Sequence, residues 1–97
     1  MRIEYSARAL SDLQRLTEFL VGSDPQSASL TNELILEAID LLKRHPLIGR
    51  TQTGGLRELV ISRGRTGYIA LYRVDELSGR VLILAVKHQR ESRFTGF

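Results

Sequence analysis

The sequence predicts an α+β protein: an N-terminal strand, a two-helix hairpin, then a three-stranded antiparallel meander forming a twisted sheet. Three observations predict it. Apolar residues recur at helical spacing in two stretches between residues 7 and 42. From residue 56 onward they alternate, or run on continuously, in three short stretches. Between these regimes lies "PLIGRTQTGG", rich in turn formers. Two helices with one apolar stripe each cannot bury themselves, and a sheet with one apolar face supplies the second layer.

Each element has its own warrant. "RIEYS" puts Ile3 and Tyr5 on one face and reads as a short strand at the sheet edge. In "ARALSDLQRLTEFL", Leu10, Leu13, Leu16 and Leu20 form a helical stripe with Phe19 beside them. Asp12, Arg15 and Glu18 mark the opposite, polar face, and Gly22 is expected to end the helix at positive φ. Asp24 caps a second helix and Pro25 sits at its first position, where no donor is lost. Ser27 stands where a capping box would need Glu or Gln. The apolar face is Ala28, Thr31, Ile35, Ala38, Ile39 and Leu42. Lys43, Arg44 and His45 are expected in the last turn, against the negative end of the dipole, with Pro46 as the stop. "LRELVIS", "TGYIALYRV" and "RVLILAVKH" are the three meander strands, broken at Gly64–Gly67 and at "DELSG". The last is apolar on both faces, as a central strand is. The tail "QRESRFTGF" has no periodic pattern.

With 97 residues, one domain spanning 1–97 is expected. The absence of cysteine excludes disulfides, thiolate metal sites and a cysteine nucleophile, and fits a reducing compartment. The N-terminus has no secretory apolar region and no stretch is long enough to cross a bilayer. A cytoplasmic protein without a membrane partner is expected. Net charge is +3, unevenly spread. Residues 1–42 carry three basic against seven acidic side chains, net −4. Residues 43–97 carry eleven against four, net +7. The basic half points to an anionic partner, nucleic acid or acidic protein.

Few motifs carry chemistry. Gly49 and Gly54 have P-loop spacing, but Gly55 and Leu56 replace the Lys and Ser/Thr that hold phosphate and Mg²⁺. His45 and His88 lie on different elements without ligand-spaced partners, so neither a metal nor another cofactor is expected. The basic set is the sharper signal. Alternation puts Arg57 and Arg63 on the same face as Leu59 and Ile61 and Arg73 on the same face as Ile69 and Leu71, and Arg65 falls in a hairpin turn. Lys87, His88, Arg90 and Arg93 follow the last strand. On neighbouring strands such cations can converge and bind phosphate through forked donors. The alternative is solvated strand ends paired with Glu58, Asp75, Glu76 and Glu91, which contribute little. His88 is the one good acid–base candidate, and the alternative is a ring bonded to Glu91 or backbone to orient the tail. Tyr68 and Tyr72 share a face with Ala70 and read as core rather than as a base-stacking platform.

The ordered set "YSARALSDLQRL", "LLKRHPLIGR", "LRELVIS", "GYIALYRV" and "ILAVKHQRE" covers nearly the whole chain. It resembles the RelE/ParE superfamily of toxins from type II toxin–antitoxin modules. The resemblance implies a helical hairpin on a twisted antiparallel sheet. It also implies a cognate antitoxin that wraps the toxin with a disordered segment, giving a hetero-oligomer. RelE-like members cut mRNA on the ribosome with basic residues and a C-terminal Tyr or His. ParE-like members, the plasmid-stabilisation branch, poison DNA gyrase. "VKHQRES" is similar to ParE-type tails, Gln89 stands where a nuclease would have Arg, and no Tyr follows Tyr72. The resemblance therefore implies a growth-inhibiting gyrase poison. Arg57, Arg63, Arg65, Arg73, Lys87, His88, Arg90 and Arg93 would be its target- or antitoxin-binding residues. An mRNA endonuclease using His88 with Arg63, Arg65 or Arg73 is the alternative, and a non-toxic antitoxin-binding relative a second.

Overall fold

The computed structural model describes residues 1–22, 24–63 and 66–97, apart from the side chains of Arg63 and Thr66. The chain runs β1 (Arg2–Tyr5), α1 (Ala7–Val21), α2 (Pro25–Asp40), a 3-10 turn (Leu41–Lys43), β2 (Arg50–Thr51), a second 3-10 turn (Thr53–Gly55), β3 (Leu56–Arg63), β4 (Thr66–Asp75) and β5 (Arg80–His88). The sheet order is β1-β5-β4-β3-β2, with β1 parallel to β5 and the remaining pairs antiparallel. The expected α+β fold, its hairpin of helices and its meander are all present.

The helices cover one face of the sheet. Ala9, Leu13 and Leu16 of α1 and Ile35 and Ile39 of α2 pack on Leu59, Ile61, Ala70, Tyr72, Val81, Ile83 and Val86. Burying each large aliphatic side chain contributes about 1.5–3 kcal/mol, so this layer supplies most of the drive to fold. Tyr68 and Tyr72 belong to the same core. Asp24 caps α2 as expected, its carboxylate accepting from the Ser27 N–H at 3.2 Å.

Four expectations are corrected. Leu10 and Phe19 are 56% and 80% exposed, because the buried line of α1 runs Ala9, Leu13, Leu16. A turn of roughly 100° per residue swings those two side chains onto its flanks. Gly22 has φ −65°, right-handed, so no glycine-only conformation ends α1. α2 stops at Asp40 and tightens into a 3-10 turn, so Arg44 and His45 lie beyond it. Lys43 pairs with Asp40 at 2.7 Å instead of serving an α-helical last turn. Finally, the loop after Pro46 contains β2, whose two residues pair with Glu58 and Arg57. Two residues among turn formers carry no alternation to read.

On the polar side of α1, Asp12 is largely covered and Arg15 stays exposed, and both reach the edge of β5. β1 pairs with β5 only from Arg80 to Ile83, which leaves the following backbone groups on that edge without a strand partner. Ser6 Oγ donates to the Leu84 carbonyl at 2.9 Å while accepting from the Ala9 N–H as the cap of α1. Asp12 Oδ2 accepts from the Val86 N–H at 2.9 Å, and Arg15 donates to the Val86 carbonyl at 3.4 Å. A buried sheet edge has to be satisfied in this way.

The loop from Pro46 to Gly49 is pinned by Tyr72. Its buried hydroxyl donates to the Pro46 carbonyl at 2.7 Å and accepts from the Gly49 N–H at 2.9 Å. A Cβ on Gly49 would stand 2.5 Å from that hydroxyl, which explains the glycine. Tyr72→Phe should leave both backbone groups unpaired and cost about 1–3 kcal/mol. Urea unfolding monitored by circular dichroism reads this directly; an unchanged midpoint would show that the hydroxyl does not hold the loop.

Candidate functional site

The face of the sheet away from the helices is the candidate site. β5 carries a bulge that determines which residues reach it. Leu71 is paired with Ala85 but Tyr72 with Ile83, so Leu84 has no partner on β4. The extra residue reverses the alternation of everything after it. Val86 and His88 consequently share the helix side with Ala70 and Tyr68, while Lys87 turns to the open side with Ile69 and Leu71.

On the open side lies a groove of about 550 Å³. Leu56 and Leu71 contribute apolar floor, and Arg73, Lys87 and Arg93 line it. Glu58 faces the same groove and is held by Arg50 at 3.4 Å and Gln52 at 3.1 Å. The C-terminal tail forms one wall. Lys87 Nζ lies 5.1 Å from the centre of the Phe94 ring and 3.4 Å from each of the Glu91 and Ser92 carbonyls. Phe94 meets Phe97 edge to face, and Arg8 of α1 covers Phe97 at 4.7 Å and donates to the Thr95 carbonyl. Cations stacked on rings gain up to about 1 kcal/mol each at exposed positions.

The structure sorts the other sequence-derived candidates. Arg57 is on the helix side, in register with Tyr72, where one guanidinium nitrogen donates to the Leu47 and Gly49 carbonyls at 3.0 Å each. Arg63 ends β3, with its side chain outside the described residues, and Arg65 lies outside them altogether. His88 stacks edge to face on Tyr68 at 5.3 Å, and its Nδ1 accepts from the Arg90 N–H at 3.1 Å. Arg90 is exposed in the turn after β5. His88 and Arg73 therefore occupy opposite faces. They are also separated by five residues of β4 register, about 17 Å along the strand. Glu58, Leu71 and Phe94 were not singled out from the sequence, although alternation with Leu59 would have placed Glu58 on the open face. Among the described residues, no three His, Asp or Glu side chains come together to hold a metal ion. No helix among them is long and apolar enough to cross a membrane.

A helical hairpin packed on an antiparallel-dominated sheet is the architecture of the RelE/ParE superfamily of type II toxins. The chain belongs to the family of ParE toxins of type II toxin–antitoxin systems (parDE), which matches over residues 3–93. It is 34% identical to Toxin RelE3 of Caulobacter vibrioides over 91 residues, 94% of this chain and 97% of that one. The toxin fold of the chromosomal ParDE system from P. aeruginosa superposes with a TM-score of 0.77 at 23% identity, covering 91% of this chain and 95% of that one. A chain of the RelBE2 toxin–antitoxin complex of Mycobacterium tuberculosis gives 0.59 at 28% identity, covering 91% and 96%.

Glu91 ties the tail to the sheet. One oxygen accepts from the His88 N–H at 2.8 Å and the other from Arg15 at 2.5 Å. Burial alone would raise its pKa, but the His88 N–H and the Arg15 guanidinium outweigh it and hold the carboxyl below its ordinary value of 4.5. The same contact with Glu91 raises the Arg15 pKa. A carboxyl depressed in the folded state stabilises fully above its unfolded pKa and loses that contribution as pH falls through the folded one. The stability difference between the native chain and Glu91→Gln should therefore be greatest near neutrality and shrink below pH 4.5. Urea titrations of both proteins across that range measure it; a difference that does not change with pH would remove the ionic tether.

Proposed function

We propose that this toxin arrests growth by binding, with DNA gyrase trapped on cleaved DNA as the target, and that a cognate antitoxin neutralises it. The observation that carries this reading is the composition of the groove. It gathers Arg73, Lys87 and Arg93 around an apolar floor, and among the described residues lining it there is neither His nor Tyr. RNA cleavage by 2′-hydroxyl attack needs a base, a stabiliser of the phosphorane and an acid for the leaving oxygen. Here the stabilisers stand on one face and the imidazole on the other. A binding surface needs no such pairing. The named relatives include chains from ParDE and RelBE toxin–antitoxin assemblies, which supports an antitoxin partner. A disordered acidic segment that folds on binding suits a cationic groove with apolar floor.

One observation favours nuclease chemistry as a second reading. Glu58 stands in the groove with Arg73 and Lys87, a carboxylate base beside two phosphate-binding cations. Purified toxin, incubated with gyrase and supercoiled plasmid and in parallel with translating ribosomes and labelled mRNA, separates the two. The binding reading expects linear DNA, intact mRNA and loss of trapping by about tenfold or more in Arg73→Glu/Lys87→Glu. Cut mRNA, abolished about 10²–10⁴-fold by Glu58→Gln or His88→Ala, would replace it with the nuclease reading.

A further inference from the structure

A second cavity, of about 540 Å³, opens on the helix side at the end of β5. Arg15, Leu16, Phe19, His88, Arg90 and Glu91 line it. Phe19 is unexplained by folding: it is 80% exposed on a helix whose neighbouring Leu16 is buried. An exposed phenylalanine beside a pocket is the kind of rigid apolar group that anchors an interface.

The charges around the cavity can be accounted for one by one. Arg15 is taken up by Glu91 at 2.5 Å and Asp12 at 3.5 Å. The oxygens of Glu91 are used by Arg15 and the His88 N–H, and Asp12 also receives the Val86 N–H. His88 Nδ1 is used by the Arg90 N–H. Among the described residues no carboxylate reaches the Arg90 guanidinium. The cavity thus presents apolar walls and one unmatched cation. Phosphates demand several converging cations, so this composition does not suit nucleic acid. It suits one apolar side chain accompanied by one carboxylate.

We infer that this cavity seats an apolar residue of the antitoxin with a neighbouring acidic side chain on Arg90. The inference rests on the antitoxin partnership proposed above. Position supports it as well. The cavity and the open-face groove lie on opposite sides of the last residues of β5, so a chain passing around that strand end meets both. A partner that orders on binding gains most from anchors already fixed in place, and Leu16 beneath the cavity is part of the packed core.

The test is calorimetric titration of purified cognate antitoxin into the full-length toxin. Phe19→Ser and Arg90→Glu should each weaken binding by about 30-fold, the size of a hot-spot contact. Arg90→Lys should retain most of the affinity. Leu10→Ser, which removes an exposed apolar residue from the other flank of α1, should change it less than about twofold. Thermal unfolding of Phe19→Ser should match the native chain, since folding does not bury that ring. Unchanged affinity in both Phe19→Ser and Arg90→Glu overturns this inference alone. A loss of gyrase trapping without loss of antitoxin affinity overturns it too, since the occupant would then be the target. Failure of the unmodified toxin to bind antitoxin removes the partnership itself and this inference with it, and that result is read first.

Discussion

The structure depends on how the outer edge of β5 is closed. β1 reaches only Ile83, yet β5 continues to His88. An unpaired edge in this position would cost a hydrogen bond at each exposed backbone group or recruit a foreign strand. The chain solves this with side chains from the start of α1 and one from the tail. Ser6 serves Leu84, Asp12 and Arg15 serve Val86, and Glu91 serves His88. The contact between Asp12 and the Val86 N–H is charge-assisted and half-buried, the stronger kind of hydrogen bond. These contacts set the position of α1 on the sheet and fix where the tail departs.

The same closure distributes the charge. Arg15 is shared by Asp12 and Glu91 along the edge, so its charge is taken up there and is not presented to either face. Arg57 is turned inward by two loop carbonyls and is unavailable in the same sense. Among the described residues, the cations without a carboxylate partner include Arg73, Lys87 and Arg93 on the open face and Arg90 at the strand end. Exposed ion pairs taken singly contribute little to stability. Their effect here is to decide which cations remain free to meet a partner.

Much of the fold was legible because its periodicities are clean. The three long strands fall where alternation and turn residues place them, and the cap at Asp24 follows from residue chemistry. The misses have physical reasons. Phe19 lies within the apolar stretch of α1 but off its buried line, and spacing alone cannot tell a flank from a centre. Gly22 looked like a left-handed terminator, yet its own φ is −65°, in the right-handed region. The edge contacts of Asp12 and Arg15 were illegible because the edge they close belongs to a strand some seventy residues away. Arg57 looked like a free cation because its acceptors are backbone carbonyls, which the sequence does not distinguish from any others.

The bulge at Leu84 was the least legible feature and has the largest effect on chemistry. In "VLILAV" both faces are apolar, so nothing in the sequence marks the point where the alternation reverses. Extrapolated from Val81 and Ile83, strict alternation puts Lys87 under the helices and His88 on the open face. His88 would then lie on the same face as Arg73, though still far from it along the strand. The observed register does the opposite. It spends the imidazole on Tyr68 and the Arg90 N–H, and gives the groove a lysine in its place. One unpaired residue in β5 thus decides that Lys87 reaches the open face and His88 the helix side.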